Sequence, residues 1–138
     1  MATETPPLTQ QLARWGWGVG LMLAGTGHLT FVREEFRSQV PPWVPIDADD
    51  VVLLSGAVEI SLGLGLLILP RERRRMSALT TAFLVAVFPG NIAQYRNRVD
   101  GLGLDTDGKR LGRLFLQPAL CATALHAGGL LPLGRGRR

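Results

Sequence analysis

Four stretches of this chain, residues 13–32, 51–70, 77–95 and 114–133, hold 79 residues and only two formally charged side chains, Arg14 and Glu59. The remaining 59 residues carry the other 24 charges. Each stretch is 19 or 20 residues long. That matches the ~20 residues a helix needs to cross a hydrocarbon core about 30 Å thick. A core helix of a soluble protein would be amphipathic, with charges on its outer face. Here Leu66-Leu-Ile-Leu69 and Phe83-Leu-Val-Ala-Val-Phe88 run with no charged face. A transmembrane β-barrel would alternate polar and apolar residues over about ten positions, and these stretches do not alternate. The chain therefore reads as all-α, an integral membrane four-helix bundle. Its spans are expected at about 11–32, 50–69, 76–95 and 111–131.

The net charge of +4 does not point to nucleic acid, because the basic residues sit in short loops beside apolar spans, where they anchor and orient helices. The lone cysteine, Cys121, rules out an intrachain disulfide and a cysteine-pair redox centre. No haem, flavin or metal signature is present. Residues 1–13 carry no Lys or Arg, so the first span is expected to be a retained helix rather than a cleaved leader.

Residues 1–10 read as a polar, frayed tail, and Trp15 and Trp17 sit where tryptophan favours the headgroup level. The 33–50 connection contains Pro41, Pro42 and Pro45, which forbid regular helix there. Asp47 or Asp49 is placed to cap the next helix. Pro70 stops the second span, and Gly101, Gly103 and Gly108 mark 96–110 as a loop. Pro89 and Pro118 are expected to kink the third and fourth spans, and 133–138 is a basic tail. With four spans, the N-terminus, the 71–75 loop and the C-terminus share a side. That side holds eight Lys/Arg against seven on the other. The run Arg73-Arg74-Arg75, with Arg71, favours both termini in the cytoplasm of a plasma-membrane protein.

Every span carries polar groups that hydrocarbon does not welcome: His28, Glu59, Asn91 with Gln94, and Gln117 with Arg113 at its border. An ionisable residue inside a span is a functional-site candidate, because its cost must be offset by partners or water. In this orientation His28 and Asn91 lie about 6 Å from the outer end of their spans and Glu59 roughly 12 Å. These groups are therefore expected to form one polar pocket in the outer half of the bundle. Gly56, Glu59 and Gly63 share one helix stripe. A second stripe, Gly16, Gly20, Ala24 and His28, repeats every four residues and reads as a packing face. A third runs through Arg113, Gln117, Cys121, Ala124 and Gly128. Interhelical glue competes with function for Asn91, Gln94 and Gln117, as a structural role does for His28. Glu59 is the strongest functional candidate. His126 reads as structural, Cys121 as a packing residue, and Trp43 as an interfacial anchor or a lid.

The chain resembles the DoxX family of small bacterial membrane proteins, especially its DoxX-like members. The matching stretches are Gly27-His28, Val40-Pro-Pro-Trp-Val-Pro45, the run from 54 to 68 with Pro70, Ala86-Val-Phe-Pro-Gly-Asn-Ile92 and Arg113-Leu-Phe-Leu-Gln117. They cover roughly residues 12–130. Phe115 stands where the family element carries proline. The resemblance implies a four-helix membrane bundle, with family polar positions at His28, Glu59, Asn91, Gln117 and Arg113. Some members are linked to thiosulfate:quinone oxidoreductase, others to membrane complexes handling oxidative stress, and a distant animal relative to receptor assembly. Three roles follow as expectations. One is an accessory subunit of a membrane complex, with a membrane-protein partner or a second copy. Another is a binder of a quinone or a sulfur anion through Glu59 and His28. The last is an oligomeric transporter. Whether the chain is itself an enzyme stays open.

Overall fold

The computed structural model describes residues 4–131 and residue 133. Arg135, Arg137 and Arg138 of the basic tail, and residues 1–3 of the polar tail, lie outside the described residues. Those described are all-helical. Four long helices, α1 (Leu8–Leu29), α3 (Ala48–Ile68), α4 (Arg73–Arg96) and α5 (Asp107–Ala127), are accompanied by a short α2 (Arg33–Arg37).

The local chemistry explains the boundaries. The Asp47 side chain caps α3 by accepting from Asp49 N at 2.9 Å, and Thr106 caps α5 by accepting from Lys109 N at 3.2 Å. Pro70 opens a single tight turn, 70–72, that links α3 to α4. Three expectations need correction. Helix α1 starts at Leu8, so the supposed tail already contributes its first turn, and it ends at Leu29 rather than 32. The 33–50 connection contains helix α2 ahead of its prolines. Helix α5 runs from Asp107 to Ala127, so the 96–110 loop ends early, Gly108 lies in the helix, and the fourth helix sits four residues ahead of the expected 111–131. The stretches Ala48–Ile68 and Pro70–Arg96 are long and apolar enough to cross a membrane. Helix α1 includes Arg14, and α5 opens with Asp107, Lys109, Arg110 and Arg113, which lowers their apolarity.

Two tight antiparallel pairs make up the fold: α1 packs on α3 and α4 on α5, with sparse contact between α3 and α4. Glycines set the first pair. A Cβ on Gly25 would lie 2.7 Å from the Gly56 carbonyl oxygen, and one on Gly63 would lie 2.7 Å from that of Gly18. Backbones approach this closely only without side chains. Arg14, Gly18, Leu21, Gly25 and His28 are buried on α1, alternating four and three apart, and Gly27 is buried beside the last of them. The Gly16–Gly20 stripe instead faces outward, with nothing within 4 Å of either added Cβ. Strict four-residue spacing rotates about 40° per step at 3.6 residues per turn, whereas four-three spacing stays on one face. In the second pair, Ser77 Oγ donates to Ala124 O at 2.6 Å, and Gly128 sits against Ser77.

The connections sort to two ends. Residues 30–47 meet 99–104 at one end, where Leu102 N donates to Glu35. At the other end, Thr9 meets His126 and Gln10 meets Arg73. Arg14 belongs to this second end. It is buried, not a free flank, and its guanidinium donates to the carbonyl oxygens of Leu66 and Leu67. Those carbonyls close α3, where a cation complements the helix dipole.

The interior is more polar than the exterior. Ten polar or charged residues are buried against seven apolar ones among the described residues. Leu12, Leu23, Leu54, Val85 and Phe115 all stand more than half exposed on the outward faces of the four long helices.

Candidate functional site

A cavity of about 280 Å³ lies in the α3–α4 seam at the α2 end. Val51, Val52 and Ser55 form one wall, Phe83, Ala86 and Val87 the other, and Val40, Pro41, Trp43 and Val44 the roof. Into this apolar chamber project His28, Glu59, Asn91, Gln94 and Arg113. Five of the six residues singled out in the sequence thus share one cavity. Gln117 does not line it. Its Nε2 donates to Leu84 O at 2.7 Å, and its Oε1 accepts from Arg113 Nη1 at 2.9 Å. Gln117 therefore holds Arg113 in place from the α4 backbone, and Arg113 has no carboxylate within ion-pair distance among the described residues.

The α1–α3 glycine contact creates the pair at the deep end of the cavity. His28 and Glu59 are both buried, and His28 Nδ1 lies 2.6 Å from Glu59 Oε2. The same nitrogen is 2.9 Å from Ala24 O. A carbonyl only accepts, so Nδ1 carries hydrogen and points along the helix. Glu59 Oε2 is the ion-pair partner of that nitrogen, which it shares with the Ala24 carbonyl. The imidazole is stacked on Phe36, with ring centroids 3.5 Å apart and planes at 21°.

Two cavity groups are buried without a hydrogen-bond partner among the described residues, Asn91 Nδ2 and Gln39 Nε2. An unsatisfied buried polar atom costs about 1–3 kcal/mol. One such atom lies elsewhere among the described residues, Thr80 Oγ1. The two amides face one cavity, whose contents, water included, supply their partners. The chamber offers N–H donors from Asn91, Gln39 and Arg113, and a carboxylate beside an imidazole. Ser55, Phe36 and Gln39 were not singled out in the sequence. Gln39 directly precedes the proline-rich segment already read as unusual, but nothing local to it signals burial.

Outside the cavity, an ion-pair clasp holds α2. Arg33 Nε donates to Asp49 at 2.7 Å, and Arg37 lies 3.8 Å from the same carboxylate. Asp49 occupies the polar first turn of α3, ahead of the apolar stretch 51–70. The hydrogen bond from Arg33 holds its carboxyl below the ordinary range. A lowered folded value means that the clasp contributes fully above the unfolded carboxylate value of about 3.9. That contribution is lost as pH falls through the folded value. Protection of the amides across 33–40, taken relative to the intrinsic exchange rate at each pH, should therefore fall below about pH 4, and Asp49→Asn should show the low protection at neutral pH with no further fall in acid. Protection independent of pH in the wild type would contradict this role.

His126 is structural. Its Nδ1 lies 3.0 Å from Leu131 O and its Nε2 3.2 Å from Thr9 Oγ1. Cys121 is half-buried on α5 and does not line the cavity. Trp43 is 71% exposed while forming part of the roof. No group of three His, Cys, Asp or Glu side chains that could hold a metal ion occurs among the described residues.

The fold and the cavity define a class: an all-helical protein of two helix pairs with a polar-ended chamber in the seam between them. The family model described as Domain of unknown function (DUF8561) matches residues 18–128, and the chain belongs to that family. No curated protein matches it. No solved structure matches it either.

Proposed function

We propose that the chain is a multi-pass membrane protein of the DoxX-like type whose four long helices cross the bilayer and whose seam cavity binds a small molecule bearing acceptor oxygens. The membrane part is supported by the inverted distribution of polarity, with ten buried polar residues inside and large apolar side chains outward. The Arg71–Arg75 turn favours the cytoplasm for the end that holds the N-terminus, in a plasma membrane.

The observation that carries the binding reading is the convergence of Asn91 Nδ2 and Gln39 Nε2, buried and without partners among the described residues, on a chamber that Arg113 and the His28–Glu59 pair also line. A mostly apolar pocket with a few convergent polar groups is the common form of a ligand site. A quinone carbonyl or an oxidised sulfur anion both present acceptor oxygens suited to the amide and guanidinium donors. Glu59 and His28 would take or give a proton at the ligand's opposite edge. An accessory role in a larger membrane complex is compatible with such a site, with the bound molecule shared with a partner.

Native mass spectrometry from nanodiscs, on wild type and Glu59→Gln, tests the reading. A small molecule should accompany the wild type and be lost from the variant, with helix content and melting unchanged. Retention of a protein partner with no small molecule in either sample would replace it with the accessory-subunit role, the polar groups then serving as glue between helices.

A further inference from the structure

The α3–α4 seam does not end at the cavity. Deeper along it lies an apolar groove lined by Ala57, Val58, Ser61 and Leu62 of α3 and by Met76 and Leu79 of α4. The two helices are antiparallel, and both sets of residues lie on the same side of the cavity. On α3 the cavity reaches Glu59 and the groove continues to Leu62. On α4 the cavity ends at Phe83 and the groove takes up at Leu79 and Met76, about 6 and 10 Å further along the helix. The groove offers a ligand no free side-chain hydrogen-bond donor, because its one polar side chain, Ser61, already donates to Ala57 O at 2.8 Å. Its volume, about 350 Å³, is comparable to that of the cavity. Helices α3 and α4 touch sparsely, so this seam is also where the bundle is least closed.

We infer that the ligand is a single-chain amphiphile that enters sideways from the bilayer, its acceptor-oxygen head held by Asn91, Gln39 and Arg113 and its hydrocarbon chain lying in the α3–α4 groove. This rests on the ligand-binding reading above and narrows it. A free oxyanion would satisfy the donors but leave the adjoining groove without an occupant. A chain-bearing molecule fills both and reaches the site without crossing water. An anionic carboxylate head would draw on Arg113, whose guanidinium has no acid partner among the described residues, and a neutral carbonyl head would rely on the two amides.

The test uses the full chain in phosphatidylcholine nanodiscs and three probes at matched mole fraction in the bilayer: palmitate, its methyl-ketone analogue and butyrate. Retained mass is read by native mass spectrometry. Palmitate or the ketone should be retained at least tenfold more than butyrate, and which of the two is held more tightly identifies the head. Asn91→Leu should weaken that retention about tenfold, the equivalent of ~1.4 kcal/mol and within the range for one buried hydrogen bond. Ser61→Phe fills the groove at an exposed position away from the polar end. It should abolish retention of the long-chain probe and leave butyrate unchanged. Equal retention of butyrate and palmitate, indifferent to Ser61→Phe, would overturn the chain while leaving the cavity reading standing. Palmitate retention indifferent to Asn91→Leu would identify annular lipid and overturn the proposal. Retention of none of the three by the wild type would overturn the head chemistry together with the cavity reading.

Discussion

Gly25→Val should separate α1 from α3 and cost about 3 kcal/mol, the upper part of the range for overpacking a well-packed contact. The new Cβ would lie 2.7 Å from the Gly56 carbonyl oxygen, 2.7 Å from Ile60 Cγ1 and 3.1 Å from Glu59 Cβ. Ile60 can rotate, but the carbonyl oxygen moves only if α3 moves with it. The comparison that gives the experiment its force is Gly20→Val on the same helix, five residues away. Nothing lies within 4 Å of a Cβ there, so the change should stay within about 0.5 kcal/mol, as surface substitutions do. Denaturant unfolding of purified protein, followed by circular dichroism, reads both. Equal losses at the two glycines would mean that helix propensity, not interhelical contact, governs α1.

His28→Leu should be the second large loss. Among the described residues, the imidazole is the only ion-pair partner within reach of the buried Glu59 carboxylate. Removing one member of a buried pair costs about 3–5 kcal/mol, because the other charge is left uncompensated. Glu59→Leu should cost much less, since a neutral imidazole keeps its bond to Ala24 O. The double variant should recover most of the loss, because replacing both partners by apolar groups is often neutral. A double-mutant cycle separates this coupling from packing changes. Additive losses would show that the 2.6 Å approach carries no energetic coupling.

The depth of each polar residue could be read from its position along an apolar stretch, because helical rise is nearly constant. This is why His28, Glu59, Asn91, Gln94 and Arg113 were expected together and are found together. Facing was legible only in part. On α3, Gly56, Glu59 and Gly63 keep one face, and that stripe packs as expected. On α1, the four-residue repeat through Gly16 and Gly20 drifts around the helix and ends outward. The true face, through Gly18 and Gly25, keeps the four-three rhythm. Partners distant in sequence were not legible at all. Arg14 stands inside an apolar stretch, and nothing near it in the sequence signals that α3 will end beside it. Gln117 was grouped with the pocket because its stripe is right, yet the Leu84 carbonyl takes its amide and turns it into a support for Arg113. Phe36 and Gln39 reach the cavity only through the fold of a proline-bounded connection, which has no periodicity to betray it.

The His28–Glu59 pair rides on α1 and α3, the guanidinium and one amide on α5 and α4. The two halves are joined along α1 and α5, where Trp17 Nε1 donates to Thr123 Oγ1, and at both ends, but touch sparsely across the α3–α4 seam. Opening that seam about the α1–α5 side would stretch the gap between acid and donors while each half kept its own geometry. In the proposed binding role, a molecule that touches both halves would act as a bolt through them. Occupancy and opening would then be linked, and by reciprocity each would bias the other. Under that proposal, lateral pressure exerted on the halves from outside would be read at the site as a change in affinity.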